Sequence, residues 1–192
     1  MKNWELTQTL QNPKNPEWEK LANASLEAGV NPKRKQGFLL AREALKSCFS
    51  NRGLELEISE LQLEKFSKVL GFPELTISLS HTKDAGAALV EDAKVYRSVG
   101  IDIEQENRPV KDSIIQRVAH PEDERLRNIE LWCLKEAVFK VLMNTGLFEK
   151  NVEFASIKIG KDHWLHSPTK LQGEWSCEMV NSFVLARAYL KN

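Results

Sequence analysis

The chain has only three cysteines in 192 residues, with no C-x-x-C pair. Neither a disulfide framework nor a zinc knuckle is indicated, and Cys48, Cys133 and Cys177 read as small buried hydrophobes in a reducing compartment. No apolar run approaches the roughly 20 residues that span a bilayer, so no membrane role is expected. No charge dominates either: 27 basic and 27 acidic side chains give a net charge of zero. That argues against bulk electrostatic binding of nucleic acid. There is no glycine-rich phosphate loop and no G-x-S-x-G elbow. The opening Met1-Lys2-Asn3-Trp4-Glu5 lacks the apolar core of a secretory signal, so the expected location is the cytoplasm.

What is present is an ordinary soluble composition, 42% hydrophobic and 28% charged, in a length that suits one domain or two fused halves. Helical spacing of Trp18, Leu21, Ala22 and Leu26 predicts a helix over 17–28. Asn31-Pro32 opens a second helix, running to Ser50, with Lys33, Arg34, Lys35, Arg42 and Lys46 on its polar side. A third is expected over 59–70, stopped by Gly71 and Pro73. Strands are expected over 75–80, 85–90 and 95–104. A short helix near 111–118 and a turn with a further helical start at His120-Pro121-Glu122-Asp123 follow. The helix over 127–144 has the clearest pattern, with Gly146 as its stop. Strands over 156–159, 174–179 and 183–189 close the chain. The order argues for an α+β fold of two halves, 1–100 and 101–192, forming one globular unit. Trp4, Trp18, Trp164 and Trp175 read as core or half-buried anchors, and His163 and His166 as surface turn residues.

Two charged patterns could carry chemistry. In Gly100-Ile101-Asp102-Ile103-Glu104, strand alternation points Ile101 and Ile103 into a core and places Asp102 and Glu104 on the other face, roughly 6–7 Å apart. Such a pair suits Mg²⁺ or Mn²⁺, although a strand with its polar face in water has the same pattern. The second is Trp132-Cys133-Leu134-Lys135-Glu136-Ala137-Val138-Phe139-Lys140. Between Leu131 and Met143 the only charged residues are Lys135, Glu136 and Lys140. A helix apolar nearly all round is expected to be buried, so its charges need partners or a ligand. Glu136 and Lys140 are also spaced for an ordinary i,i+4 ion pair. A third signal is Ser80-His81-Thr82 at a strand end, where a histidine can donate to a phosphate or serve structure alone.

In this order, G-I-D-x-E and W-x-x-K-E-x-x-x-K preceded by S-H resemble the 4′-phosphopantetheinyl transferases. The likeness covers 78–82, 99–104 and 131–140, with a looser one at Phe38-Leu39-Leu40-Ala41-Arg42 and a family look to the Pro121-Glu122 turn. About 100 residues precede the acidic motif, which resembles the larger surfactin-synthetase-activating type, a pseudodimer in one polypeptide. That type implies an α+β fold with a helix packed on a small antiparallel sheet in each half.

The resemblance implies transfer of the phosphopantetheine arm of coenzyme A to a serine of an apo acyl or peptidyl carrier protein, releasing adenosine 3′,5′-bisphosphate. It implies Mg²⁺, or Mn²⁺, on Asp102, Glu104 and Glu136. Lys140 would face phosphate, and Lys135 could do likewise or pack at the rim. Glu136 would be the best candidate to accept the serine proton, and His81, oriented by Ser80 or Thr82, would contact a coenzyme A phosphate. Lys35, Arg42, Lys46, Lys65 and Lys68 are the candidates for the 3′-phosphate. Family members often carry G-K-P where this chain has Gly71-Phe72-Pro73, so that phosphate contact must come from elsewhere or be absent. The partner would be an acidic carrier domain and the protein a monomer, since a fused pseudodimer completes its own site. Two other readings of the residues are a coenzyme A or carrier-binding module without turnover and an unrelated Mg²⁺-dependent phosphohydrolase.

Overall fold

The computed structural model describes residues 3–27, 29–65, 67–148 and 152–192, with the side chains of Glu64 and Lys65 outside the description. The fold is α+β with antiparallel sheets. The chain forms two compact units, Met1–Ala93 and Lys94–Asn192.

The first unit contains β1 (Trp4–Thr7), α1 (Pro16–Ser25), α2 (Pro32–Ser50), β2 (Leu63–Lys65), β3 (Lys68–Val69), β4 (Leu75–His81) and β5 (Gly86–Asp92). Asn15 and Asn31 cap the two helices, their side chains accepting from the Glu17 and Lys33 backbone amides. A proline follows each cap in the first turn, where its missing N–H costs nothing. Helix α2 packs on the antiparallel sheet β1-β5-β4. Trp18, Leu45, Phe49, Ile77 and Val90 lie in the core beneath it.

The second unit contains β6 (Tyr96–Gln105), α3 (Asp112–Val118), α4 (Asn128–Asn144), β7 (Ile157–Ile159), β8 (His163–His166), β9 (Gln172–Val180) and β10 (Phe183–Lys191). Its sheet is antiparallel in the order β6-β10-β9-β8-β7, with Asp102 opposite Ala186 and Glu104 opposite Val184. Helix α4 lies across β6 and β10, and Leu134, Val138, Val141, Trp164 and Val184 form the core between them.

Three expectations need correction. Among the described residues of 59–70 no α-helix forms; the 3-10 turn Ile58–Glu60 leads into the hairpin β2–β3. Ile58, Leu61 and Val69 each reach the first core from this irregular path, so tertiary burial overrides a weak helical stripe. The first helix ends at Ser25, and Ala28 lies outside the described residues. His163 and His166 belong to strand β8, and His166 is buried, its Nδ1 2.7 Å from the Thr169 hydroxyl. The alternation of His163, Trp164, Leu165 and His166 is too short to signal a strand by itself. Strand β1 is a further element outside those expectations; Trp4 and Leu6 alternate over only four residues.

The second unit turns on one close approach. A Cβ placed on Gly100 would overlap the carbonyl oxygen of Ala137, so β6 meets α4 where only glycine fits. The Ser98 hydroxyl donates to the Val141 carbonyl at 2.8 Å, fastening the same seam. Gly100→Ala must force strand and helix apart and is expected to cost about 1–3 kcal/mol or more, as overpacked sites do. A urea midpoint unchanged from the native chain would show that the seam can give.

Burial holds the His166 imidazole below the ordinary histidine value. The unfolded chain therefore takes up this proton more readily than the folded one. The stability tied to a neutral His166 is complete above the ordinary histidine range, about pH 6.5, and is lost as pH falls through the lowered folded value. Urea midpoints measured from pH 8 to 5 should fall on the acid side, and less so in His166→Gln. Equal acid slopes in the two chains would remove His166 from the account.

Candidate active site

Strand β6 and helix α4 bring the acidic pattern and the lysine–glutamate pattern together. Asp102 and Glu104 are 6% and 9% exposed, so their face of the strand is not an open solvated one. Lys140 does not pair back along the helix to Glu136. Its ammonium crosses to the strand and donates to Asp102 Oδ1 and to the Ile101 carbonyl, both at 2.8 Å. Glu104 Oε1 accepts from the Trp132 indole at 3.3 Å and from the guanidinium of Arg108, four residues further on.

Glu136 completes the group. Burial raises its proton affinity, the negative charge of Asp102 raises it further, and Lys140 and Arg108 offset part of the effect. Asp102 and Glu136 are thus close enough to feel one another, and the nearby positive charge offsets only part of that effect. As the side chains stand, no group of three His, Cys, Asp or Glu among the described residues is gathered tightly enough to hold a metal ion. Lys140 and Arg108 occupy two of the carboxylates instead. The donor set itself fits a hard divalent cation: all-oxygen, anionic, and with Glu136 lacking a hydrogen-bonded cation among the described residues.

Lys135 takes a different part from the one the pattern suggested. It is fully buried, with its ammonium 2.8 Å from Asp123 Oδ2 and donating to the carbonyls of Phe154 and Ile157. Three donors thus meet three acceptors, which leaves none for a phosphate. Asp123 in turn accepts from the backbone amides of His120 and Ile159, tying the 120–123 turn to β7. The expected helical start at 120–123 is this turn instead, and α4 begins at Asn128.

In the first unit, α2 presses on the end of β4. A Cβ on Gly37 would run into the Thr82 carbonyl and the His81 ring, so a glycine at that helix position is what lets the two approach. The Thr82 hydroxyl accepts from the amides of Asp84 and Ala85 at 3.2 and 3.1 Å, forming the turn that follows His81. Ser80 is buried on the strand. Of the basic candidates, Lys35 is paired with Glu19, Lys68 is exposed, and the Lys65 side chain lies outside the described residues. Arg42 differs from these. It is 8% exposed, sits 4.4 Å over the Phe38 ring, and its Nε has no hydrogen-bond partner among the described residues. Desolvation brings its proton affinity down to a value of about 10. A buried guanidinium of this kind is short of an anion.

Sequence reasoning missed Arg108, Asp123 and Gly37. Only Arg108 left a trace, a cation four residues beyond Glu104 in a polar loop; the other two matter through contacts made by folding.

Residues 98–189 match the family model of the 4′-phosphopantetheinyl transferase superfamily. The match takes in Asp102, Glu104, Lys135, Glu136 and Lys140, and leaves His81, Lys35 and Arg42 outside it. No curated protein matches the chain. Among the described residues no helix is long and apolar enough to cross a membrane.

Removing one member of a buried ion pair strands the other. Lys135→Met should therefore lower unfolding stability by about 3–5 kcal/mol, read from chemical denaturation. A loss below about 1 kcal/mol would mean that water reaches Asp123 once the lysine has gone.

Proposed function

We propose that this protein transfers the 4′-phosphopantetheine arm of coenzyme A to a serine of an apo carrier protein, as an enzyme of the surfactin-synthetase-activating type. The observation that carries the reading is the gathering of Asp102, Glu104, Glu136 and Lys140 on one strand–helix seam, inside the span that matches the superfamily model. Asp102, Glu104 and Glu136 would hold Mg²⁺ or Mn²⁺, which when bound neutralises charge on the pyrophosphate. In the reaction the serine oxygen bonds to the β-phosphorus, the bond to the bridging oxygen breaks, and adenosine 3′,5′-bisphosphate leaves.

The chain's own residues divide the remaining work. Glu136 is the best-placed acceptor of the serine proton, because burial and Asp102 both raise its basicity. Lys140 projects its charge to the Asp102 carboxylate, where a phosphate oxygen would gain from it. Arg42, buried and short of an anion, is the strongest candidate for the 3′-phosphate and stands in for the lysine missing at Phe72. His81, with Ser80 and Thr82 beside it, would donate to another coenzyme A phosphate. Lys35 would have to leave Glu19 to join them.

The acceptor would be an acidic carrier domain. A monomer in the cytoplasm fits this reading.

The test is direct. The protein, coenzyme A and Mg²⁺ are incubated with an apo carrier protein, and the carrier is weighed intact. A gain of one phosphopantetheine mass is expected, and its loss with chelator and in Asp102→Ala. No gain across several carriers, with coenzyme A still bound, would reduce the protein to a binding module. Breakdown of coenzyme A without any carrier would make it a phosphohydrolase.

A further inference from the structure

The pairing of Glu104 raises a question that the transfer chemistry does not answer. Its Oε1 already carries two donors, the Trp132 indole and the Arg108 guanidinium. Arg108 is not a fixed part of the core. It follows β6 in a polar loop, its amide donates to the Gln105 carbonyl at 3.0 Å, and its side chain remains 49% exposed. Among the described residues Glu104 is its only ion-pair partner. Its charge also reaches Glu136, where it acts against burial and Asp102. Arg108 therefore sits at the mouth of the carboxylate group, touching one member and acting on another.

Lys140 is held differently. It is bound to Asp102 and to the Ile101 carbonyl and is only 26% exposed, with its backbone within α4. Of the two cations at this site, Arg108 can leave at small cost. A half-exposed ion pair contributes little to stability, and the loop keeps its arginine in water once released. The charge balance favours the exchange. Three carboxylates set against Lys140 and Arg108 retain one negative charge. Three carboxylates set against Lys140 and a divalent cation retain none.

We propose that Arg108 is a built-in competitor for the divalent-cation site: it pairs with Glu104 while the metal is away, and binding of the metal displaces it. The displaced guanidinium stays on its loop beside the site, able to meet an anionic substrate or an acidic partner only after the metal has entered. This rests on the reading of Asp102, Glu104 and Glu136 as a metal site, and it makes Arg108 a positioning residue and not a ligand.

The test is metal binding to the whole protein without coenzyme A. Mn²⁺ is titrated into the metal-free native chain and into Arg108→Gln, up to millimolar concentrations, and free Mn²⁺ is followed by electron paramagnetic resonance. Arg108→Gln is expected to bind Mn²⁺ about fivefold more tightly, the upper range for loss of a half-exposed competing pair. Arg108→Lys, which keeps the charge, is expected to bind more weakly than Arg108→Gln. Equal affinity in the native chain and Arg108→Gln would overturn the competition and leave the metal site standing. Weaker binding in Arg108→Gln would make Arg108 a support for the cluster and also overturn it. No Mn²⁺ binding by either chain would overturn the metal site and the proposal together.

Discussion

The constraint on which the second unit depends is the contact of Gly100 with the Ala137 carbonyl. Nothing larger than hydrogen fits between strand and helix there. The functional pattern follows from that spacing. Asp102 and Glu104 lie two and four residues beyond Gly100 on β6, and Glu136 and Lys140 flank Ala137 on α4. A helix held farther from the sheet would leave Lys140 unable to reach Asp102 and the Ile101 carbonyl together. The glycine of G-I-D is therefore a statement about distance, and the reach of Lys140 to Asp102 follows from it. The Gly37 contact with the end of β4 places α2 beside His81 in the same manner within the first unit.

Helix α4 carries two lysines with opposite duties. Lys135 points into the interior and is fully consumed by Asp123 and two carbonyls. Lys140 points along the seam and keeps part of its side chain in water. Burial weakens the charged form of Lys135, and Asp123 works against that loss. An interior pair of this kind is poor value as stabilisation, since two well-packed apolar side chains would often serve as well. What it contributes here is location: Asp123 also accepts from the amides of His120 and Ile159, so one carboxylate fixes where the 120–123 turn meets β7.

Much of the fold was legible because its signals are local. Asn31-Pro32 announces a helix start through a side-chain cap that needs no tertiary partner. The apolar circumference of α4 announces burial. The segment 59–70 misled because its leucines are buried by a turn and a hairpin instead of by a helix face, and nothing local separates the two. The site was legible as a set of charges but not as a set of partners. Sequence spacing alone offered Lys140 to Glu136; folding gave it to Asp102. It offered Lys135 to a phosphate; folding gave it to Asp123, twelve residues earlier in a turn whose pairing nothing local announces. Pairings across elements depend on register and on helix rotation, and both are fixed by packing.

The same distinction explains why the carboxylates can be assembled at all. Asp102 and Glu136 repel, and a folded chain must hold them beside Glu104 before any ligand arrives. Lys140 and Arg108 lower that cost, one from the helix and one from the loop, yet they leave the group short of balance. A fully neutralised cluster would be more stable and would have no use for a further cation. An uncompensated one would take up a proton at Glu136 and blunt its own attraction for metal. Partial compensation, with one cation anchored and the other half in water, keeps the site foldable while leaving it drawn to positive charge.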